Sequence, residues 1–184
     1  MTLAPVPRPR IALNMGASRD YKRWPLDSWK VLARALLDRG YGLVFTGAQE
    51  DTSAGETVRS ALQEGSRALN LCGRTGLRQL ASALSLCDLA VSGDSGPMHL
   101  AVAVGTPVVA LFGGTSPVRH GPYGMDDLVL HKPAPGEEPS RRPSRDFGLA
   151  SMRAITVADV LGAIERAGAG AVATHRSEDY FQHG

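Results

Sequence analysis

Short apolar runs alternate with stretches of helical periodicity along most of the chain. "RIALNM" (10–15), "GLVFTG" (42–47), "ALNLCG" (68–73), "LAVSGD" (89–94), "PVVALFG" (107–113) and "DLVLHK" (127–132) read as strands. Within them "LVFT" and "PVVALF" are nearly continuous apolar runs, the pattern of strands buried on both faces. Between the runs, Ser28 to Arg39, Thr52 to Glu64, Leu77 to Leu86 and Pro97 to Val104 carry apolar residues at helical spacing, and Gly40 and Gly105 stand where helices stop. This β-α-β rhythm predicts an α/β fold, a doubly wound parallel sheet of the Rossmann-like kind.

The rhythm fails at both ends. "MTLAPVPRP" carries Pro5, Pro7 and Pro9, which bar a helix interior or a central strand, so residues 1–9 are expected to be a proline-rich linker or tail. The folded domain is expected to run from 10 to 168. After Leu130, "HKPAPGEEPSRRPSRDFGLASM" predicts a long surface excursion before a last helix near Val157 to Ala167. Residues 169–184, small and polar, are expected to form a flexible tail.

Composition narrows the picture only modestly. With 184 residues, 43% of them hydrophobic, 21% charged and a net charge of +2, the chain fits one ordinary globular domain and gives no reason to expect a nucleic-acid partner. No apolar run approaches the roughly 18 residues of a membrane span, and the start lacks the core of a signal peptide. A cytoplasmic location with at most peripheral membrane contact is the expectation. Cys72 and Cys87 lack the spacing and company of a metal site or disulfide framework and are expected to be reduced, buried thiols.

In such sheets ligands bind beyond the carboxyl ends of the strands, which directs attention to the βα loops. In the first, Gly16 and Ala17 let backbone approach a ligand, and Lys22 and Arg23 can neutralise a phosphate, unless the loop is simply a solvated basic one. Trp24 is expected to pack beneath it. In the second, Glu50 or Asp51 can accept hydrogen bonds from ribose hydroxyls, or serve as acidic charge at a helix start. The third looks chiefly structural, with Arg74 and Arg78 as weaker anion candidates.

The fourth loop, "SGDSGPMHLA", carries the most chemistry. Pro97 suits a first helical turn, and Asp94 or Ser95 suits the N-cap. The amides of Ser95, Gly96 and Met98 then lie at the positive end of the helix dipole, and His99 shares a helical face with Ser95. A helix start beside the Lys22 and Arg23 cations makes a candidate anion seat. There is no GxGxxG after the first strand and no GxxxxGK[ST], which argues against a dinucleotide dehydrogenase or a P-loop enzyme. "GDSGP" lies in an α/β rhythm foreign to trypsin-like barrels, and the G-x-S-x-G elbow is absent, so a serine hydrolase is not supported.

"GASRDYKRWP", "FTGAQED", "LCGRTGLRQLASALSLCDLAVSGDSGPMHLAVAVGTPVVALFGGTSP" and "GPYG" resemble the carboxyl-terminal, donor-binding domain of glycosyltransferase family 9, the ADP-heptose lipopolysaccharide heptosyltransferases. The resemblance runs from about Ile11 to Ile164. It implies one half of a GT-B fold and inverting transfer of heptose from ADP-heptose to a lipopolysaccharide core sugar, with the nucleotide sugar as donor substrate, no cofactor and no bound metal. Carried over, Lys22 meets the donor phosphates and sugar, Ser95 and Gly96 hold the diphosphate, and His99 lies close to it. Asp94 addresses sugar hydroxyls or caps the helix, and Glu50 or Asp51 accepts the ribose. A departing ADP gathers negative charge, which preorganised amides and a lysine can stabilise.

The resemblance also implies what the chain lacks. The family's catalytic base belongs to an amino-terminal acceptor domain, and nothing before Arg10 corresponds to one. The chain is therefore expected to be an isolated domain, a truncation or half of a split gene, binding the donor but needing a separate acceptor-binding domain or chain. Many relatives carry cysteines where Ser140, Ser144 and Ser151 stand here, so no cysteine-based metal site is expected in that segment. The rival readings are a non-catalytic nucleotide-binding or partner-binding module and another GT-B enzyme using a UDP-sugar.

Overall fold

The computed structural model describes residues 3, 6–62 and 67–168. The elements in chain order are β1 (Arg10–Asn14), α1 (Leu26–Asp38), β2 (Gly42–Thr46), α2 (Thr52–Ala61), β3 (Ala68–Asn70), α3 (Leu77–Ser85), β4 (Leu89–Gly93), α4 (Gly96–Ala103), β5 (Val108–Phe112), α5 (Pro117–His120), β6 (Val129–His131), α6 (Arg145–Ala154) and α7 (Val157–Arg166). All strand pairs are parallel, in the order β3-β2-β1-β4-β5-β6. The order reverses between β1 and β4, as in the doubly wound Rossmann sheet that the rhythm predicts.

Each strand feeds both faces of the sheet by simple alternation. Ile11, Leu13, Leu43, Phe45, Leu89, Val91, Val109 and Leu111 pack with residues of α1, α2, α6 and α7. Ala12, Val44, Ala90, Val108, Ala110 and Phe112 pack with Ala83 and Leu84 of α3 and with Met98 and Ala101 of α4. Burial on both sides explains why the strand runs are nearly all apolar.

Among the described residues the second face is covered by α3 and α4 from the main run of the chain, and the amino-terminal segment adds to it. Leu3 and Val6 are fully buried there, so the expected linker or tail at 1–9 is in part an integral strap. Arg8 grips the buried Asp88 carboxylate, which also accepts from the Arg10 amide at 2.7 Å, and the Gly42 amide donates to Pro9 O at 2.9 Å. A side chain at position 42 would strike Pro7 O at 2.3 Å. Prolines forbid a helix interior but not a strap that delivers two apolar side chains, and this is why pattern alone misses it.

The excursion after β6 likewise contains an element that periodicity did not reveal, the helix α6. Its interior Gly148 weakens the helical pattern, yet that glycine is where Tyr21 packs, its ring 2.9 Å from where a Cβ would sit. Ser144 caps the helix by accepting from the Phe147 amide at 3.3 Å. Ser151 is buried and accepts from the Ala134 amide at 2.8 Å, while the Ser140 amide donates to Gly114 O at 3.0 Å. All three serines thus help to fasten the excursion. The predicted helix end at Glu64 and the predicted tail at 169–184 lie outside the described residues.

At the far edge, Nε2 of His131 is buried without a hydrogen-bond partner among the described residues, and burial holds this imidazole below its ordinary pKa of 6.5. The folded state therefore favours the neutral ring. Below pH 6.5 the unfolded chain takes up the proton more readily, so stability present above that value is lost as the pH falls. Urea unfolding at pH 7.5 and pH 5.5 should show a larger drop for the wild type than for His131→Gln; equal drops would mean that His131 contributes nothing.

Candidate functional site

The loops after β1, β2 and β4 converge where the strand order reverses, around a cleft of about 270 Å³. Gly16, Ala17, Glu50, Asp51, Ser95 and Gly96, all singled out by sequence, line it. A switch point between two diverging crossovers is where an open α/β sheet has room for a ligand.

Lys22 comes from a 3-10 turn, Asp20–Lys22, seated on α6, where Asp20 pairs with Arg145 and Tyr21 packs on Gly148; neither Lys22 nor Asp94 is among the residues lining the cleft, and Asp94 immediately precedes Ser95, which is. That turn lies against the end of β4, where a Cβ on Gly93 would sit 3.1 Å from Lys22 O. Lys22 Nζ donates to Asp94 Oδ2 at 2.6 Å, and both side chains are largely shielded from solvent. Two candidates 72 residues apart in sequence are thus in direct contact.

Arg23 and Asp51 turn out differently from their expected roles as phosphate cation and ribose acceptor. They pair with each other, and Asp51 is only 1% exposed. The second Asp51 oxygen accepts from the Ala48 amide at 2.8 Å, while Arg23 Nη2 donates to Ala17 O at 3.1 Å. The pair holds the β1 and β2 loops together, and Asp51 is its member that lines the cleft. Gly16 and Gly47 make room for it: a Cβ on either would come within 2.5 Å and 2.7 Å of the Asp51 side chain. Glu50, exposed on the rim, is the acidic side chain left facing the opening.

α4 begins at Gly96 with Ser95 as N-cap in extended conformation, but the Ser95 hydroxyl makes no capping bond. It accepts instead from Asn14 Nδ2 at 3.0 Å. The Met98 amide donates to Ser95 O at 3.1 Å, so it does not serve as an open anion donor as expected. Pro97 has no N–H to give. The amides of Ser95 and Gly96 precede the first helical hydrogen bond, and nothing lies within 4 Å of the Gly96 Cβ position. His99 is exposed on α4 and is not among the residues lining the cleft.

Several flanking residues are structural. Trp24 donates to Ile155 O at 2.9 Å and meets Trp29 edge-on at 5.0 Å, the packing role expected of it. Arg74 faces Glu56, Arg59 and Asn70 in a separate hollow beside β3. Burial pushes the Cys72 thiol up to about 12, which leaves it un-ionised and chemically quiet. Asn14, Thr46 and Ser92 went unnoticed as site residues. They are polar ends of apolar runs, "IALN", "VFT" and "AVS", and they sit in one register, Asn14 opposite both Thr46 and Ser92.

Sheet order and cleft together define a Rossmann-like domain with its binding cleft at the topological switch point. The chain belongs to glycosyltransferase family 9 (heptosyltransferase), whose model matches residues 1–148. Lipooligosaccharide heptosyltransferase 2 of Haemophilus influenzae is 40% identical over 133 residues, 71% of this chain and 38% of that protein. Lipopolysaccharide heptosyltransferase 2 of Escherichia coli is 40% identical over 113 residues, 60% of this chain and 32% of that protein. The structure of E. coli ADP-heptose LPS heptosyltransferase II superposes with a TM-score of 0.72 at 32% identity, covering 87% of this chain and 46% of that one. E. coli heptosyltransferase WaaC, solved with ADP, shares the fold with a TM-score of 0.67 at 22% identity, covering 90% of this chain and 47% of that one. The chain spans less than half the length of each of these proteins. No single helix among the described residues is long and apolar enough to cross a membrane.

Proposed function

We propose that this chain is the donor-binding part of a heptosyltransferase of lipopolysaccharide core synthesis, and that its cleft holds an ADP-heptose-like nucleotide sugar. One observation carries the reading: the Lys22–Asp94 pair stands at the end of β4, one residue ahead of the α4 cap, at the switch point of the sheet. A lysine paired with the residue just ahead of the open helix-start amides suits a diphosphate, and Glu50, among the residues lining the cleft, suits ribose hydroxyls.

The chemistry follows from that placement. In an inverting transfer the acceptor hydroxyl attacks the anomeric carbon from the face opposite the nucleotide, and the bond to the diphosphate oxygen breaks. Charge then accumulates on the departing ADP. Lys22 and the Ser95 and Gly96 amides meet this charge in place, without a metal ion. Asp94 keeps the lysine oriented before the donor arrives and is then free to address sugar hydroxyls. The base that deprotonates the acceptor is assigned to a separate acceptor-binding domain or chain, and the reaction to the cytoplasm.

Calorimetric titration with ADP, UDP and GDP tests the donor assignment. ADP is expected to bind most tightly; a preference for UDP would move the chain to another donor class, and no nucleotide binding would remove the reading. Lys22→Ala should weaken ADP binding by about 1.5–3 kcal/mol, the usual contribution of a hydrogen bond to a charged group. Unchanged affinity in the same titration would take Lys22 out of the site.

A further inference from the structure

The polar centre beneath the cleft is Asn14, the last residue of β1, which is 2% exposed and contacts three elements at once. Its Nδ2 has three acceptors within reach of two hydrogens, Gly16 O at 3.1 Å, Ser92 Oγ at 3.0 Å and Ser95 Oγ at 3.0 Å, so the two hydroxyls, 3.1 Å apart, share one N–H while Gly16 O takes the other. Its Oδ1 accepts from Thr46 Oγ1 at 3.4 Å. The Gly16 carbonyl fixes the orientation of the amide, because a carbonyl oxygen tolerates only an N–H at that distance. A flipped amide would set two acceptors against each other.

The hydroxyl protons then have few places to go. Ser92 Oγ donates to Gly93 O at 2.9 Å, which uses its single proton. Ser95 Oγ faces an N–H of Asn14 and so uses a lone pair there. Among the described residues the acceptor open to its own proton is Ser92 Oγ, at 3.1 Å. A ligand oxygen in the cleft can take that proton without leaving any buried group unpaired.

We infer that Asn14 is a positioning residue of the diphosphate seat: its side-chain amide holds the Ser95 hydroxyl as a hydrogen-bond donor directed at an anionic oxygen of the ligand. The inference rests on the nucleotide-sugar reading of the cleft. Asn14 itself stays beneath the ligand and acts through Ser95. It also joins the ends of β1 and β4 across the switch point, so the spacing between the Gly16 loop and the α4 start depends on it.

The test is calorimetry of the full chain with ADP and with adenosine, alongside melting curves. Ser95→Ala and Asn14→Ala are each expected to weaken ADP binding about tenfold. The double variant should lose little more than either single one, because the two groups form one donor. Asn14→Asp, of the same shape, should lose more than Asn14→Ala, since a carboxylate repels both Gly16 O and the anion. Adenosine affinity should stay within about twofold throughout, a selectivity that a merely structural role would not produce. ADP affinity equal to wild type in folded variants, or equal losses for ADP and adenosine, would overturn the role of Asn14. Should the Asn14 variants not fold, Ser95→Ala decides alone, and wild-type ADP affinity there overturns it. A wild-type chain that binds no ADP overturns the nucleotide reading itself, and the inference with it.

Discussion

Removal of residues 1–9 is expected to lower the unfolding free energy of the domain by about 3–6 kcal/mol, as read from urea denaturation. Leu3 and Val6 are each about 1% exposed, and full burial of one such side chain stabilises by about 1.5–3 kcal/mol. The deletion also strips Arg8 from Asp88, a carboxylate that is itself 1% exposed and would keep only the Arg10 amide at the strand start. Domains of this size are stable by about 5–15 kcal/mol, so the loss would be a large share of the total. The double variant Leu3→Ala, Val6→Ala should reproduce most of the effect with the backbone in place. A denaturation midpoint that does not move would show that the strap is only draped on the sheet.

Arg23→Ala is the second change with a large expected effect, about 2–3 kcal/mol of stability. Removing one partner of a buried ion pair leaves an uncompensated charge and typically costs about 3–5 kcal/mol. The figure is reduced here because the Arg23 side chain is 34% exposed and the Ala48 amide still serves Asp51. Arg23→Lys should recover only part of the loss, since an ammonium cannot reach Asp51 and Ala17 O with one planar fork. Asp51→Asn, which keeps an acceptor for Ala48, should be milder than Arg23→Ala. Equal stability of wild type and Arg23→Ala in thermal and urea unfolding would return Arg23 to the pool of free cations.

Much of this architecture was legible because β1, β2, β4 and β5 are buried on both faces and therefore nearly all apolar. Turns and helices between them stood out by contrast. The strap was hidden because Pro5, Pro7 and Pro9 rule out a regular element around its two anchors, Leu3 and Val6, and what these touch is set by the tertiary fold. α6 was hidden because Gly148 answers to a neighbour, Tyr21, rather than to helix propensity. In the cleft, residue types pointed to the loops that line it, and Lys22 and Asp94 do meet. Type could not say which cation stays available: Arg23 and Lys22 are adjacent in sequence, yet one pairs with a buried carboxylate beneath the cleft and the other reaches the end of β4. Asn14 escaped notice because a single polar residue closing an apolar run looks like an ordinary strand end until the register sets it beside Thr46 and Ser92.

The edge-on contact of Trp24 and Trp29 has an optical consequence. These are the chain's 2 tryptophans, and Trp24 follows directly on Lys22 and Arg23. Both rings line a hollow of about 310 Å³ that also touches Asp20 and the α6 residues Leu149 and Arg153 and shares no residue with the switch-point cleft. Indole emission from the folded chain therefore comes from one place and reports, on the unlabelled protein, how the Asp20–Lys22 turn is seated against α6.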